Sequence, residues 1–279
     1  IHQLSKMIDE YLIPQELEKK TNAEVSTPYQ LRQQMLDLIP DEFWTQPRTV
    51  FEPCSGKSGF IVDIVSRFMT GLQDQIPDAE QRYRTIVEQC LYFADINPTN
   101  IFIAGILLDP EQKYKLNSYT GDTLQLDTHE HWNITGFDAV IGNPPYNASG
   151  TVGTGHTIWQ YFTNTALTHW VKVKGYLLYV HPPGWRKPES YTINKENLFD
   201  KMIKHNHMIY LEIHGSKDGQ KVFKCGTKYD FYLIKKSNQS LSTKIIDEKG
   251  NSHIINLQSF NFIPNFDITE YQNVLVDNT

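Results

Sequence analysis

At 279 residues, 39% hydrophobic and 21% charged, the chain can bury a full core in one large α/β domain with at most a short appendage, and no apolar run nears the roughly 20 residues of a membrane-spanning helix. Three scattered cysteines, Cys54, Cys90 and Cys225, exclude a disulfide framework or a CxxC metal site, and a reducing, cytoplasmic setting is expected. The net charge of −6 excludes a uniformly basic nucleic-acid binder, yet residues 170–244 carry 14 Lys and Arg against 6 Asp and Glu, which fits either a phosphate-facing surface or a solvated lysine-rich one.

The first ten residues read as the start of a helix and lack the charged and apolar regions of a signal peptide. The chain begins on Ile1 without an initiator methionine, so it is expected to be trimmed from a longer protein. Thr27 before Pro28, and Asn97 before Pro98, each set a capping side chain ahead of a proline at the first helical position. Strands are expected at residues 49–52, 91–94, 115–119, 139–141, 176–180, 208–213 and 231–234. Between them run apolar stripes at helical spacing, as in Phe60, Ile61, Ile64, Val65 and Phe68. That alternation, with no internal repeat, is the signature of a parallel sheet flanked by helices. Residues 245–279 lose the periodicity and are expected to form a strand or two followed by a linker or tail.

Four segments carry chemistry. Val50 to Phe60, VFEPCSGKSGF, reads as a strand, an acidic residue, a glycine-bearing loop and a helix, the first βα turn of a nucleotide-binding sheet. A Walker A loop needs a glycine where Phe51 stands, so Lys57 and Ser58 are not expected to hold phosphate. In LYFADINP, residues 91–98, a strand ends at Asp95, whose carboxylate can accept from the ribose hydroxyls of a nucleoside, with Ile96 packing on its adenine. In YTGDTL, Asp122 follows the third strand and is read either as an adenine contact or as a turn residue. Finally, FDAVIGNPPY, residues 137–146, delivers Asn143, Pro144, Pro145 and Tyr146 to the carboxyl edge of the sheet, where open α/β sheets bind ligands. The two prolines stiffen the backbone, so the Asn143 side-chain oxygen and the Pro144 carbonyl are candidate acceptors for an amino group. Tyr146 offers a flat face to a base flipped out of a helix.

With those residues in view, the chain resembles the adenine-specific (N6) DNA methyltransferases of restriction-modification systems, gamma group, over about residues 26–236. STPYQLRQQM from Ser26 looks like the segment that precedes the cofactor loop in that group, EPCSGKSGF like the loop itself, DINP like the ribose clasp, GD like the adenine contact and NPPY like the catalytic motif. The resemblance implies a Rossmann-like class I methyltransferase fold with a seven-stranded, mostly parallel sheet and helices on both faces. It implies transfer of a methyl group from S-adenosylmethionine to adenine in DNA, in a prokaryotic or viral setting. Thr27, Glu52, Pro53, Cys54, Gly56, Asp95, Ile96, Asp122 and Asn143 are then cofactor contacts, and Asn143 to Tyr146 are catalytic. In VFKCGTKYDFYLI, Phe223 falls where the family carries a second aromatic for the flipped base, although a buried strand aromatic fits the pattern equally.

On this reading residues 1–25 are an N-terminal helical segment, 26–244 the catalytic domain and 245–279 an extension. The extension is too short for the family's target-recognition domain, so an additional specificity domain or subunit is expected as a partner beside DNA. A nuclease grouping of Asp9, Glu18 and Lys20 falls in an amphipathic helical stretch and is set aside. A protein glutamine methyltransferase, an RNA methyltransferase and an inactive, methyltransferase-like DNA-binding module remain open alternatives at this point.

Overall fold

The computed structural model describes residues 2–12, 25–147, 157–187, 192–193, 196–239 and 241–277. Glu18 and Lys20, of the nuclease grouping, lie outside them. Short apolar runs form β1 (Val50–Glu52), β2 (Leu91–Asp95), β3 (Asn117–Thr120), β4 (Phe137–Gly142) and β5 (Val171–His181). They are followed by β6 (His207–His214), β7 (Tyr229–Lys235), β8 (Thr243–Ile246) and β9 (Ser252–Ile255). The sheet runs in the order β9-β8-β6-β7-β5-β4-β1-β2-β3. β1 pairs in parallel with both β2 and β4, and β7 runs antiparallel between β5 and β6.

The sheet thus has nine strands among the described residues, where seven were expected. The two additional strands come from the segment without periodicity: β8 lies parallel to β6, and β9 returns antiparallel to β8. The boundary expected after residue 244 falls inside β8. Beyond β9 the chain stays on the core, with Phe260, Ile263 and Ile268 buried. Arg186 donates to the Ile263 carbonyl at 3.0 Å and to the Asn265 side chain at 2.7 Å, tying this segment to the end of β5.

Strand residues alternate between two cores. Val50, Leu91, Phe93, Ala139 and Ile141 face one; α1 (His2–Tyr11) packs outside α2 (Tyr29–Leu36) and α3 (Gly59–Gly71), which cover this core with α4 (Ala79–Thr85) and α5 (Pro98–Leu108). Phe51, Tyr92, Ala94, Phe137 and Val140 face the other, covered by α6 (Trp159–Thr165) and α7 (Leu198–Ile203). Burial on both faces is why these strands read as continuous apolar runs and not as alternating ones. The stripe of Phe60, Ile61, Ile64, Val65 and Phe68 is buried along α3 as its spacing predicts.

The two predicted caps part company. Asn97 accepts from the Thr99 N–H at 3.0 Å with Pro98 as first helical residue. Thr27 caps nothing: α2 begins at Tyr29 without a side-chain cap from Pro28, and the carboxylate of Asp9, on α1, accepts the Tyr29 N–H at 2.5 Å instead. A distant carboxylate has replaced the local hydroxyl, which frees Thr27 for the site described below.

At the end of β5, His181 is fully buried and stacked on Trp159 at 4.3 Å. Its Nδ1 donates to the Pro182 carbonyl at 2.9 Å, and its Nε2 lies 2.7 Å from the Tyr232 hydroxyl, which donates to it when the ring is neutral. Burial lowers its pKa from 6.5 to about 3. Because the folded value lies below the unfolded one, this contribution to stability is complete above pH 6.5 and is lost as pH falls towards 3. At about pH 5 the loss is on the order of 2 kcal/mol. Urea denaturation at the two pH values is expected to show it, and His181→Asn to abolish most of that acid sensitivity; an equal pH dependence in the variant would reject the assignment.

Candidate active site

The chain reverses direction in the sheet between β1 and β4, which lie side by side yet lead to opposite flanks. A crevice opens at such a switch point beyond the strand ends. Glu52 closes β1, and Asn143 follows β4. The two strands come so close here that a Cβ on Gly142 would stand 2.3 Å from Glu52 Oε1, so any larger residue would displace that carboxylate from its present position. Glu52 is buried, and its oxygen accepts the Cys54 N–H at 3.1 Å. Burial raises its pKa well above the usual carboxylate range, the charge of Asp95 adding to the rise.

From β1 the loop turns over the end of β2. The Ser55 N–H donates to the Ala94 carbonyl at 2.9 Å and the Gly56 N–H to Asp95 Oδ2 at 2.8 Å. Asp95 Oδ1 accepts from the Asn97 N–H at 2.8 Å and from Asn100 Nδ2 at 3.2 Å. Asn100 in turn accepts from Lys57 Nζ at 3.0 Å. Lys57 therefore has a role after all: with Asn100 it fixes the rotamer of Asp95. Burial raises the Asp95 pKa, while these donors and the Lys57 charge hold the rise back. Asp122 accepts from the Leu124 N–H at 3.0 Å, so it is a turn cap, and it also stands on the wall of the crevice.

Two clefts meet in this crevice. One of about 430 Å³ is walled by Asp9, Thr27, Glu52, Ser55 and Lys57. The other, of about 690 Å³, is walled by Asp95, Ile96, Asp122, Thr123, Pro145 and Ile158. They share Val25, Cys54, Gly56 and Asn143. Ile96 is 52% exposed, an apolar face on a cleft wall. No group of three or more His, Cys, Asp or Glu able to hold a metal occurs among the described residues.

Asn143 stands at the junction. Its Nδ2 donates to Thr27 Oγ1 at 3.1 Å and to the Val25 carbonyl at 3.3 Å, while its Oδ1 is enclosed without a partner. Of the two prolines, Pro145 lines a cleft and Pro144 is buried. Tyr146 is half-buried and lines neither cleft, and its hydroxyl, likewise enclosed, makes no hydrogen bond of proper geometry, although Asn143 lies close enough to act on it. Burial pushes its pKa up, with Cys225 and Tyr229 adding. Phe223, at the end of α8 (Ser216–Phe223), lines neither cleft: it is 9% exposed and packs edge-on against Tyr229 at 4.9 Å.

Glu52, Asp95, Asp122 and Asn143 thus converge on one sheet edge from four separate strands, and the family model for N-6 DNA methylases matches residues 3–170. The chain belongs to the N-6 DNA methylase family. Among solved structures, the M protein of the type I restriction enzyme EcoKI is 14% identical, with a TM-score of 0.58 over 80% of this chain and 48% of that one. The methyltransferase subunit of a type I restriction-modification system from Streptococcus thermophilus is 14% identical, with a TM-score of 0.57 over 90% and 52%. A Listeria monocytogenes protein assigned as a class I S-adenosylmethionine-dependent methyltransferase is 15% identical, with a TM-score of 0.54 over 86% and 68%. No curated protein matches the chain in sequence. These likenesses establish the class I methyltransferase fold, and the chain spans about half the length of the type I subunits it matches.

Arg32 and Asn100 have no place among the sequence expectations, and Asp9 and Lys57 appear there only as a nuclease grouping set aside and as a lysine not expected to hold phosphate. Asn100 alone left a signal, since it lies one helical turn into α5 from the Asp95 loop.

Proposed function

We propose that this N-6 DNA methylase transfers a methyl group from S-adenosylmethionine to the exocyclic N6 amine of adenine in DNA. The observation that carries the reading is the enclosed, unpaired Oδ1 of Asn143, a residue that lines both clefts. A buried acceptor without a donor is costly, by about 1–3 kcal/mol, and an amino group relieves it. The oxygen is sealed from water, so a base reaching it takes the place of side chains now packed there.

The residues present fit the cofactor. The buried carboxyl of Glu52 gains a counter-charge from a cationic methionine moiety in the Thr27 cleft. Asp95 would hold the ribose, Ile96 the adenine ring and Asp122 the adenine amine. Bound there, the sulfonium supplies an electrophilic methyl group without any need for a metal.

An aromatic amine is a weak nucleophile because its lone pair is delocalised into the ring. Asn143 Oδ1, and the Pro144 carbonyl if it turns outward, draw the amine hydrogens and favour a more tetrahedral nitrogen. Tyr146, the candidate stacking face, meets a base only when the packing around it opens, because it too lines neither cleft, and Phe223 does so only by leaving its contact with Tyr229. The phenol of Tyr146 stays protonated at neutral pH, so the surplus proton passes to solvent after transfer. Exposed Lys217, Lys221, Lys224 and Lys228 on and after α8 are the candidates for meeting the phosphate backbone. Target recognition then rests with a further domain or subunit.

Tritiated methyl transfer to duplex DNA, RNA and protein, followed by hydrolysis, tests the proposal. Label is expected in N6-methyladenine from DNA. Label in protein glutamine or confined to RNA would overturn it, and cofactor binding without transfer to any substrate would favour the binding module.

A further inference from the structure

The Asn143 amide has one permitted orientation, and the groups that impose it lie outside the catalytic motif. The Val25 carbonyl can only accept, so the nitrogen of the amide must face it. Thr27 Oγ1 takes the second N–H at 3.1 Å. Turning the amide over would set Oδ1 against the Val25 oxygen and leave Nδ2 where the acceptor is needed.

Thr27 is itself held. It is 6% exposed, and its carbonyl accepts from Arg32 Nη1 at 2.6 Å. Arg32, 2% exposed, is anchored on two further elements. From α3, Asp63 takes its Nε at 2.6 Å; from α1, Asp9 takes Nη1 at 2.8 Å and Ser5 Oγ takes Nη2 at 2.8 Å. Ser5 closes the ring by donating to Asp63 at 2.5 Å. Space for the guanidinium comes from Gly59, where a Cβ would stand 2.7 Å from it. A buried cation this fully paired is rigid, because each of its carboxylate and carbonyl partners fixes it in one plane.

We propose that Thr27 is a positioning residue that sets the Asn143 amide for the acceptor amine, and that Arg32, pinned by α1 and α3, holds Thr27 in place. The proposal deepens the methyltransferase reading and assigns the Thr27 hydroxyl a partner other than the cofactor. The amide remains the only one of the two that touches substrate.

Thr27→Val keeps the shape and removes the acceptor. It is expected to lower kcat roughly tenfold, the effect of one lost hydrogen bond, by more than any change in the cofactor Kd and with the KM for DNA unchanged. Thr27→Ser, which restores the hydroxyl, is expected to recover most of the rate. Arg32→Lys, which keeps a cation beside Asp63 but loses the fork to Thr27 and Asp9, is expected to lower kcat by more than it weakens the cofactor Kd. An undiminished kcat in Thr27→Val, or a cofactor Kd weakened in step with kcat/KM, would overturn the proposal; if Thr27→Val does not fold, an undiminished kcat in Arg32→Lys does so. Should the wild-type protein methylate a different amine, the DNA reading fails, yet the same comparison on that substrate still decides the role of Thr27.

Discussion

Asn143→Ala is expected to lower kcat for adenine methylation by at least 10²–10³-fold, roughly the effect of deleting one preorganised polar group from an active site, while the cofactor Kd stays close to that of the wild type. The split follows from where the residue stands. Its Oδ1 is unpaired and the residue lines both clefts, whereas the groups that would hold the cofactor, Glu52, Asp95 and Asp122, are positioned by contacts that do not pass through it. Glu52 depends on the Cys54 N–H, and Asp95 on Gly56, Asn97 and Asn100. Truncation also releases the Thr27 hydroxyl and the Val25 carbonyl, both of which water can satisfy. Asn143→Asp sharpens the test: it keeps the acceptor but turns a carboxylate oxygen towards the Val25 carbonyl, so its rate should fall well below that of the wild type. Calorimetry for binding and single-turnover transfer for rate measure the two effects separately. Equal loss of both would mean that Asn143 serves the cofactor and not the acceptor.

The sequence made the site legible where one short segment carries the whole device. Strand, loop and functional group are contiguous at Glu52, Asp95, Asp122 and Asn143, and the strand ends alone bring them to one edge. Contacts between distant segments left no such trace. Asp9 reads as one polar position of an amphipathic helix, yet it caps α2 and pairs with Arg32, 23 positions on. Arg32 reads as a surface residue, because arginine is seldom buried without partners, and its partners lie on α1 and α3. Lys57 reads as a lysine that is not expected to hold phosphate, and its bond to Asn100 spans 43 positions, which no local pattern reveals. Strands β8 and β9 were blurred for a different reason. They sit at the sheet margin with Lys244, Ser252 and Ile254 exposed, so one side faces water and neither is the continuous apolar run of the central strands.

Asp95→Ala is expected to weaken cofactor binding by roughly 10- to 100-fold, the range for hydrogen bonds to a charged group. A carboxylate offers about four acceptor positions, and three are already taken, by Gly56, Asn97 and Asn100. One direction on Oδ2 is left for a ribose hydroxyl, and a second hydroxyl can bind only by sharing an occupied position. Asp95 therefore acts twice, once on the ligand and once on the loop that carries the Gly56 N–H. For that reason Asp95→Asn should bind no better than the alanine variant: its new amino group would face an N–H that now donates to the carboxylate. Acid gives an independent check. Burial raises the Asp95 pKa above 3.8, and hydroxyl donors prefer the ionised form, so cofactor affinity should fall with decreasing pH earlier than an unperturbed aspartate allows. In Asp95→Ala that part of the pH dependence should vanish from the calorimetric titration. A cofactor Kd unchanged by the substitution would remove Asp95 from the binding site and leave it only the task of holding the loop.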